Sequence, residues 1–468
     1  MQRHECKPAR SLRLNPIAAC LVAMLGVGDA SASQAQPGNV IVVTNCLDSG
    51  PGSLRAAVQS SGDGDDIDLT QLPCSDIFLT SGRIDTYHSL LLRGPGSGLL
   101  TIDGDHTDRV FDQHANAQLA VYGMTLTHGY GFLAGGCIYS SGPVLLNDTV
   151  ITGCSVIGDA GSSIYRGGGL YVNSELIATS SKIVGNEVYT TLGGAIGGGV
   201  AVTGNLVLIG STISGNDAQS AAVSGIVEAG GADVGGTLYA QYSTISDNFV
   251  AGLGPGTGSV GGARCVGPAE IRYSTVSGNS AGAVGGLMIY GHNSTSASLI
   301  ANSTVSDNTA VGIGGIYGHG SITIANSTIA FNTESNGLGA GLRMEYGIAD
   351  VESSIIASND GGSSTVNIGL GIGGGVSGAN DIIGPSGTTT LPPDTIQADP
   401  LLFPLANNGG TTLTHALRSG SPAINAGNNV QGLSNDQRGL GFARILGPAA
   451  DIGAVEFDSD VIFADGFD

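Results

Sequence analysis

Short apolar runs broken by Gly, Ser and Asn recur along most of this chain. Gly199-Val200-Ala201-Val202, Leu206-Val207-Leu208-Ile209 and Thr212-Ile213-Ser214 follow one another closely, each too short for a helix. The last belongs to a phrase, Ser211-Thr212-Ile213-Ser214-Gly215-Asn216, that returns at 243–248, 274–279, 303–308 and 327–332, with weaker copies ending at Cys154, Asn186 and Asn359. From 154 to 359 the steps are 32, 30, 32, 31, 29, 24 and 27 residues. Between copies stands a Gly-Gly mark followed by apolar residues, at 135–136, 168–169, 198–199, 230–231, 261–262, 285–286 and 314–315. A period in this range describes a solenoid, whose units bury a common face only by stacking.

The units are rich in Thr, Val, Ile, Ser and Gly, which favours strands and turns over helices. Three strands and three corners per coil predict an all-β fold, a parallel β-helix. Its hand is expected to be right, as for parallel crossovers generally. About ten coils stacked 4.8 Å apart give one rod on the order of 50 Å long. Glycine supplies 79 of 468 residues without the three-residue spacing of collagen, and is expected at corners. The recurrent Asn is expected to form an amide ladder from coil to coil, its tolerance of left-handed backbone suiting a corner.

The ends differ from the middle. Residues 1–35 read as a secretory signal: Arg3, Lys7, Arg10 and Arg13 precede an apolar stretch over 16–27, and small residues offer cleavage after Ala32 or Ala35. Cys20 has lipoprotein spacing, but residues 21–25 prolong the apolar run, which favours simple cleavage. Residues 36–110 are assigned to an N-terminal cap and first coils, with a short helix capped by Ser53. The repeats occupy 111–360, a Gly/Ser/Thr-rich segment expected to be irregular 361–393, a C-terminal cap block 394–457, and a tail 458–468.

Charge and cysteines narrow the partners. Removing 35 residues takes away four basic and two acidic side chains, leaving 12 Lys+Arg against 36 Asp+Glu, a net charge of −24. Such a surface excludes nucleic acid and anionic membranes as partners, and suits polyanionic sugars poorly unless calcium bridges them. No integral membrane segment follows the leader, and a monomer is expected. In an oxidising compartment Cys46 should pair with Cys74; Cys137 and Cys154 fall within one repeat and are candidates for a second bond, while Cys265 reads as a small buried residue. Asp63, Asp65, Asp66 and Asp68 offer a loose calcium site that misses the EF-hand spacing; no other cofactor is indicated.

The C-terminal block carries an ordered series: Asp399-Pro400-Leu401-Leu402, Asn407-Asn408-Gly409-Gly410, Thr414-His415-Ala416-Leu417, Ser421-Pro422-Ala423-Ile424-Asn425-Ala426-Gly427, Asp436-Gln437-Arg438-Gly439 and Asp451-Ile452-Gly453-Ala454-Val455-Glu456. Near the start stand Thr44-Asn45, Gly50-Pro51-Gly52-Ser53-Leu54-Arg55-Ala56-Ala57, Gly94-Pro95-Gly96 and Leu100-Thr101-Ile102-Asp103-Gly104. Together these resemble the choice-of-anchor Q β-helix proteins of bacterial surfaces and secretions, and the repeats are loosely similar to those of polymorphic outer-membrane proteins. The resemblance implies secretion or display at the outer cell surface, not one chemistry. Asp436, Arg438, Asp451 and Glu456 are expected to fix the block by polar contacts.

Catalytic signals are sparse. Lys182 is the sole lysine after the leader, Gly318-His319-Gly320 is a three-residue match to polygalacturonases, and Asp247 and Asp307 lie two coils apart as turn residues. One constellation repeats: Tyr290-Gly291-His292 and Tyr317-Gly318-His319 lie 27 residues apart, and Glu345-Tyr346-Gly347 continues the spacing. Stacked tyrosines and histidines there, with Arg343 and Glu345, form a candidate ligand-binding patch for an extracellular glycan or surface protein. The sequence therefore favours a non-catalytic display rod or adhesin-like binding protein. The alternative is a carbohydrate-active enzyme, a polysaccharide lyase or glycoside hydrolase working in the groove. Carboxylates and Arg focused on one strand face would favour the enzyme; an even Thr/Ser face would favour the rod.

Overall fold

The computed structural model describes residues 38–158, 163–222, 225–252, 260–291, 297–362 and 366–458. The leader and most of the tail, and His292, lie outside them. Within them the chain winds as a parallel β-solenoid of about eleven coils, counted on a sheet that takes one strand from each.

A single coil shows how the pattern folds. Val200–Val202 belongs to this eleven-stranded sheet, here sheet II; Leu206–Ile209 and Thr212–Ser214 both belong to a larger sheet I; Asp217–Ser220 belongs to sheet III. A small sheet IV, containing Ile164–Arg166, Gly194–Ile196 and Val227–Glu228, stands between sheets III and II. Three apolar runs thus make only two faces, because sheet I bends at a left-handed residue, Gly210 (φ 57°), matched by Ser180, Tyr242, Asn302 and Asn326 in other coils. The third face comes from Asp217–Ser220, whose small and polar residues carry little apolar signal. Val200, Leu206, Leu208 and Ile213 point inward and are fully buried. Each such side chain contributes about 1.5–3 kcal/mol.

The Asn of the repeated phrase forms the expected ladder. Nδ2 donates to Oδ1 one coil on, from Asn186 to Asn216 (2.9 Å), Asn248 (2.9 Å), Asn279 (2.9 Å), Asn308 (2.8 Å), Asn332 (2.9 Å) and Asn359 (2.8 Å). The left-handed residue is the one before it, Gly215, Asp247, Gly278 or Asp307. The Asn is selected for its amide, not its backbone. The first Ser of the phrase makes a second ladder: each Ser N–H donates to the next Ser Oγ, from Ser181 through Ser211, Ser243, Ser274, Ser303 and Ser327 to Ser354.

The Gly-Gly marks serve close approach. A Cβ on Gly199 would lie 2.7 Å from the Gly231 carbonyl oxygen and 2.9 Å from Asn216 Cγ, and neither Gly198 nor Gly199 has positive φ. One coil replaces this Asn–Gly contact covalently: Cys154 occupies the Asn column, its N–H bonding Asn186 Oδ1, and is disulfide-bonded to Cys137 after the Gly-Gly mark (Cα–Cα 5.5 Å). Cys46 and Cys74 are also joined (Cα–Cα 6.4 Å). Cys265 is free and buried, and burial pushes its thiol up to about 12.

Both ends are built from the sequence signals, in altered form. Ser53 accepts from Ala56 N–H to start the helix Leu54–Ser60, whose Leu54, Ala57 and Val58 enter the core. The Gly/Ser/Thr-rich segment is not irregular throughout: Ile368–Leu370, Gly374–Ala379 and Ile382–Ile383 pair in register and continue the solenoid. Ile368, Ile382 and Ile383 are fully buried there, so a few apolar residues at inward positions extend the core despite the weak pattern. The block from 394 touches the last coil where Ile396 bridges Ile382, then runs back along the second arm of sheet I rather than stacking on the end. It covers Thr275, Thr304, Ser306 and Thr328, all at most 2 % exposed. Gln437 and His415 reach these hydroxyls directly, at 2.6 Å from Thr304 and 2.7 Å from Ser306.

Candidate functional site

With one arm of sheet I covered, sheet II is a face on which charged and aromatic side chains align in a column, while the other arm of sheet I carries the ion pairs Asp66–Arg93 and Glu270–Arg272. The middle residue of its strands points outward, and the register aligns these positions coil upon coil: Asp85, Asp112, Tyr139, Tyr171, Ala201, Asp233, Arg264, Met288, Tyr317 and Arg343. From Tyr171 onward this position is the second residue after the Gly-Gly mark or its equivalent, a constant offset that the sequence displays. Asp85 and Asp112 precede the marks and carry no such signal.

At the N-terminal end Arg83 Nε lies 3.0 Å from Asp85 Oδ1 and 3.4 Å from Asp112 Oδ2, and Arg109 bonds Asp112 Oδ2 as well. His114 Nε2 sits 3.1 Å from Asp85 Oδ1 and 3.4 Å from Asp112 Oδ1. Tyr87 stacks on the His114 ring at 4.8 Å. Arg109 then lies over Tyr139, which stacks on Tyr171 at 5.4 Å.

Midway along the face, Arg264 Nη1 bridges Asp233 Oδ1 at 2.7 Å and Glu228 Oε2 at 3.5 Å. Asp233 comes from sheet II and Glu228 from the preceding strand in sheet IV, and Arg264 reaches both from the next coil. Burial raises both carboxyls above their usual range, against the opposing pull of Arg264. Arg264 also lies over the Tyr290 ring, 5.7 Å from its centroid.

No protein-family model matches the sequence, and no curated protein does either. Among solved structures, the crystal structure of pectate lyase Pel9A aligns with a TM-score of 0.41 at 15 % identity, covering 91 % of this chain and 98 % of that one. So loose a likeness transfers no reaction. The choice of function rests on this chain's own residues.

The patch singled out in sequence occupies the far end of the same face, in a different register from the one its spacing implies. Ile289 pairs with Gly318, which sets Tyr290 level with His319, while Tyr317 pairs with Met288 and Arg343. The three tyrosines therefore do not form one column, because the coils measure 29 and 26 residues here whereas the tyrosines stand 27 and 29 apart. Tyr290 meets Tyr317 edge-on at 6.0 Å, and His319 packs between Tyr290 (6.3 Å) and Tyr346 (4.9 Å). Tyr317 donates its hydroxyl to Glu345 Oε2 at 3.1 Å, and Arg343 Nη2 donates to Glu345 Oε1 at 3.2 Å.

The acidic run near the start does not converge. Asp63 accepts from Ser89 N–H, Asp65 from the N–H groups of Asn39 and Gly62, Asp68 from Thr70, and Asp66 pairs with Arg93. Each carboxylate has its own partner. Among the described residues no helix is long and apolar enough to cross a membrane.

Proposed function

We propose that this protein is an extracellular glycan-binding β-helix, with sheet II as the binding face. The observation that carries this reading is the outward column running from Asp85 through Tyr171, Asp233 and Arg264 to Arg343. Aromatic faces pack against sugar rings, and fixed carboxylates and guanidinium groups hydrogen-bond their hydroxyls. The arginines at Arg83, Arg109, Arg264 and Arg343 are matched by carboxylates, so the face suits a neutral glycan better than a polyanion. Tyr290, Tyr317, His319, Arg343 and Glu345 belong, on this reading, to one end of the face. Two disulfides, the charged leader and the likeness to choice-of-anchor Q proteins support export and surface display as a rod.

Cleavage of the bound glycan is the second reading, favoured by Glu228 and Asp233 converging on Arg264. Hydrolysis needs two carboxylates flanking the scissile bond, one of them protonated at working pH. A glycan array identifies the ligand, and a reducing-end release assay on it separates the readings. Tyr171→Ala and Arg264→Ala should each weaken binding by tenfold or more on the scale of about 1.4 kcal/mol. Binding unchanged in both would overturn the assignment of sheet II. Release of reducing ends by the parent, lost in Asp233→Asn with binding retained, would establish the second reading.

A further inference from the structure

The N-terminal end of sheet II holds a donor set that ion pairing alone leaves incomplete. Asp85 and Asp112 occupy directly opposed positions on adjacent strands, a placement that sets two carboxylates against each other. His114, two residues beyond Asp112, projects to the same face. His114 Nε2 and one oxygen from each aspartate lie within 4.8 Å of one another. The nitrogen is 3.1 Å from one oxygen and 3.4 Å from the other. Ligands about 2.0–2.2 Å from a tetrahedral ion stand roughly 3.3–3.5 Å apart, so these spacings match a shared cation.

The second observation concerns Asp112. It is 4 % exposed, and its Oδ1 has no hydrogen-bond donor. Its other oxygen is held by Arg109 and Arg83. A buried carboxylate oxygen without a donor is costly, and this one faces His114 Nε2. Arg109 thereby fixes the Asp112 carboxylate through the oxygen that would not ligate, as outer partners of ligating carboxylates do, while Arg83 Nε also bonds Asp85 Oδ1 at 3.0 Å.

We propose that Asp85 Oδ1, Asp112 Oδ1 and His114 Nε2 bind a divalent transition cation of the zinc class. One imidazole and two carboxylates are too few and too nitrogenous for calcium, which takes six to eight oxygens. Three protein ligands leave the fourth position open to solvent. Beside it lies a depression of about 310 Å³ lined by Arg55, Gln59, Arg83, Tyr87 and His88, among others.

The test uses the exported chain without a polyhistidine tag, stripped with a chelator and titrated with zinc chloride by calorimetry. One equivalent should bind per chain, and cobalt(II) should give visible absorption bands that zinc displaces. His114→Gln and Asp112→Asn should each weaken zinc binding roughly tenfold or more, with circular dichroism spectra unchanged. Should Asp112→Asn fail to fold once Arg109 loses its counter-charge, His114→Gln decides alone, since that side chain is 36 % exposed. No stoichiometric uptake by the parent, or uptake unchanged in His114→Gln, overturns the proposal. The readout is independent of glycan binding.

Discussion

Asn248 shows what a single position does in this rod. Its Oδ1 accepts both the N–H and the Nδ2 of Asn216, at 3.1 and 2.9 Å, and its own Nδ2 donates to Ile213 O and Asn279 Oδ1. Asn248→Ala strands two buried donors of Asn216, each worth about 1–3 kcal/mol, so a loss of about 2–6 kcal/mol is expected in denaturant titration. Lys182→Ala, on an exposed position, should stay within about 0.5 kcal/mol. Equal effects would remove the ladder as a source of stability. Asp381 ends the serine ladder by accepting Ser354 N–H at 2.9 Å. Burial, opposed by that hydrogen bond, raises its carboxyl from 3.8 to about 8. A folded-state pKa above the unfolded one means the folded chain holds the extra proton between these values. Stability is therefore full below about 4 and lost as pH rises through about 8. Asp381→Asn should flatten that slope in thermal melts taken from pH 4 to 9; an unchanged slope would contradict the assignment. The asparagine ladder was legible in the sequence because the same amide closes each copy of the repeated phrase. The serine ladder was not, since serine also fills the outward positions of the same phrase.

Among the larger elements, the C-terminal block is held by ions where its polar motifs promised contacts. Arg438 binds Asp436 through Nε and Nη2, at 3.0 and 2.6 Å from Oδ2, and Glu456 N–H donates to that oxygen. Asp451 joins through its N–H to Glu456 Oε1 and through its carboxylate to Asn425 N–H. Arg444, which stands outside those motifs, is 1 % exposed and bonds Glu456 Oε1, Asn302 Oδ1 and two backbone carbonyls. Arg444→Ala leaves Glu456 buried without its counter-ion, a change worth about 3–5 kcal/mol, and should lower the melting temperature clearly. Truncation at residue 393 should uncover Thr275, Thr304, Thr328 and the apolar Ala330, Ile355 and Ala357, and promote aggregation. A truncated chain that stayed soluble and equally stable would show that the block serves attachment instead. What the sequence could not show is where this block lies, since the hydroxyl rungs it covers look the same in coils it never reaches.

For the whole molecule, the proposed binding face extends over about 45 Å from Asp85 to Arg343 at 4.8 Å per coil. Affinity for oligosaccharides of the bound glycan should thus rise with chain length until the face is spanned; a plateau at a disaccharide would confine the site to one patch. Reducing both disulfides should lower stability by about 2–4 kcal/mol each in the chain-entropy picture, measured by melting with and without reductant. The sequence by itself determined the solenoid, its period and the asparagine column, which follow from local spacing repeated along the chain and copied from coil to coil by stacking. It also pointed to the Cys46–Cys74 bond and the Ser53-capped helix through signals local to the first coils, and left Cys137 and Cys154 as candidates. Tertiary structure alone decided which register the coils adopt around Tyr290 and Tyr317, because coil lengths vary and strand pairing absorbs the difference. It alone joined Glu228 of sheet IV to Arg264 of sheet II, and Asp85 to Asp112. Those contacts cross between sheets, or between coils that precede the Gly-Gly marks, where spacing in sequence carries no sign of them.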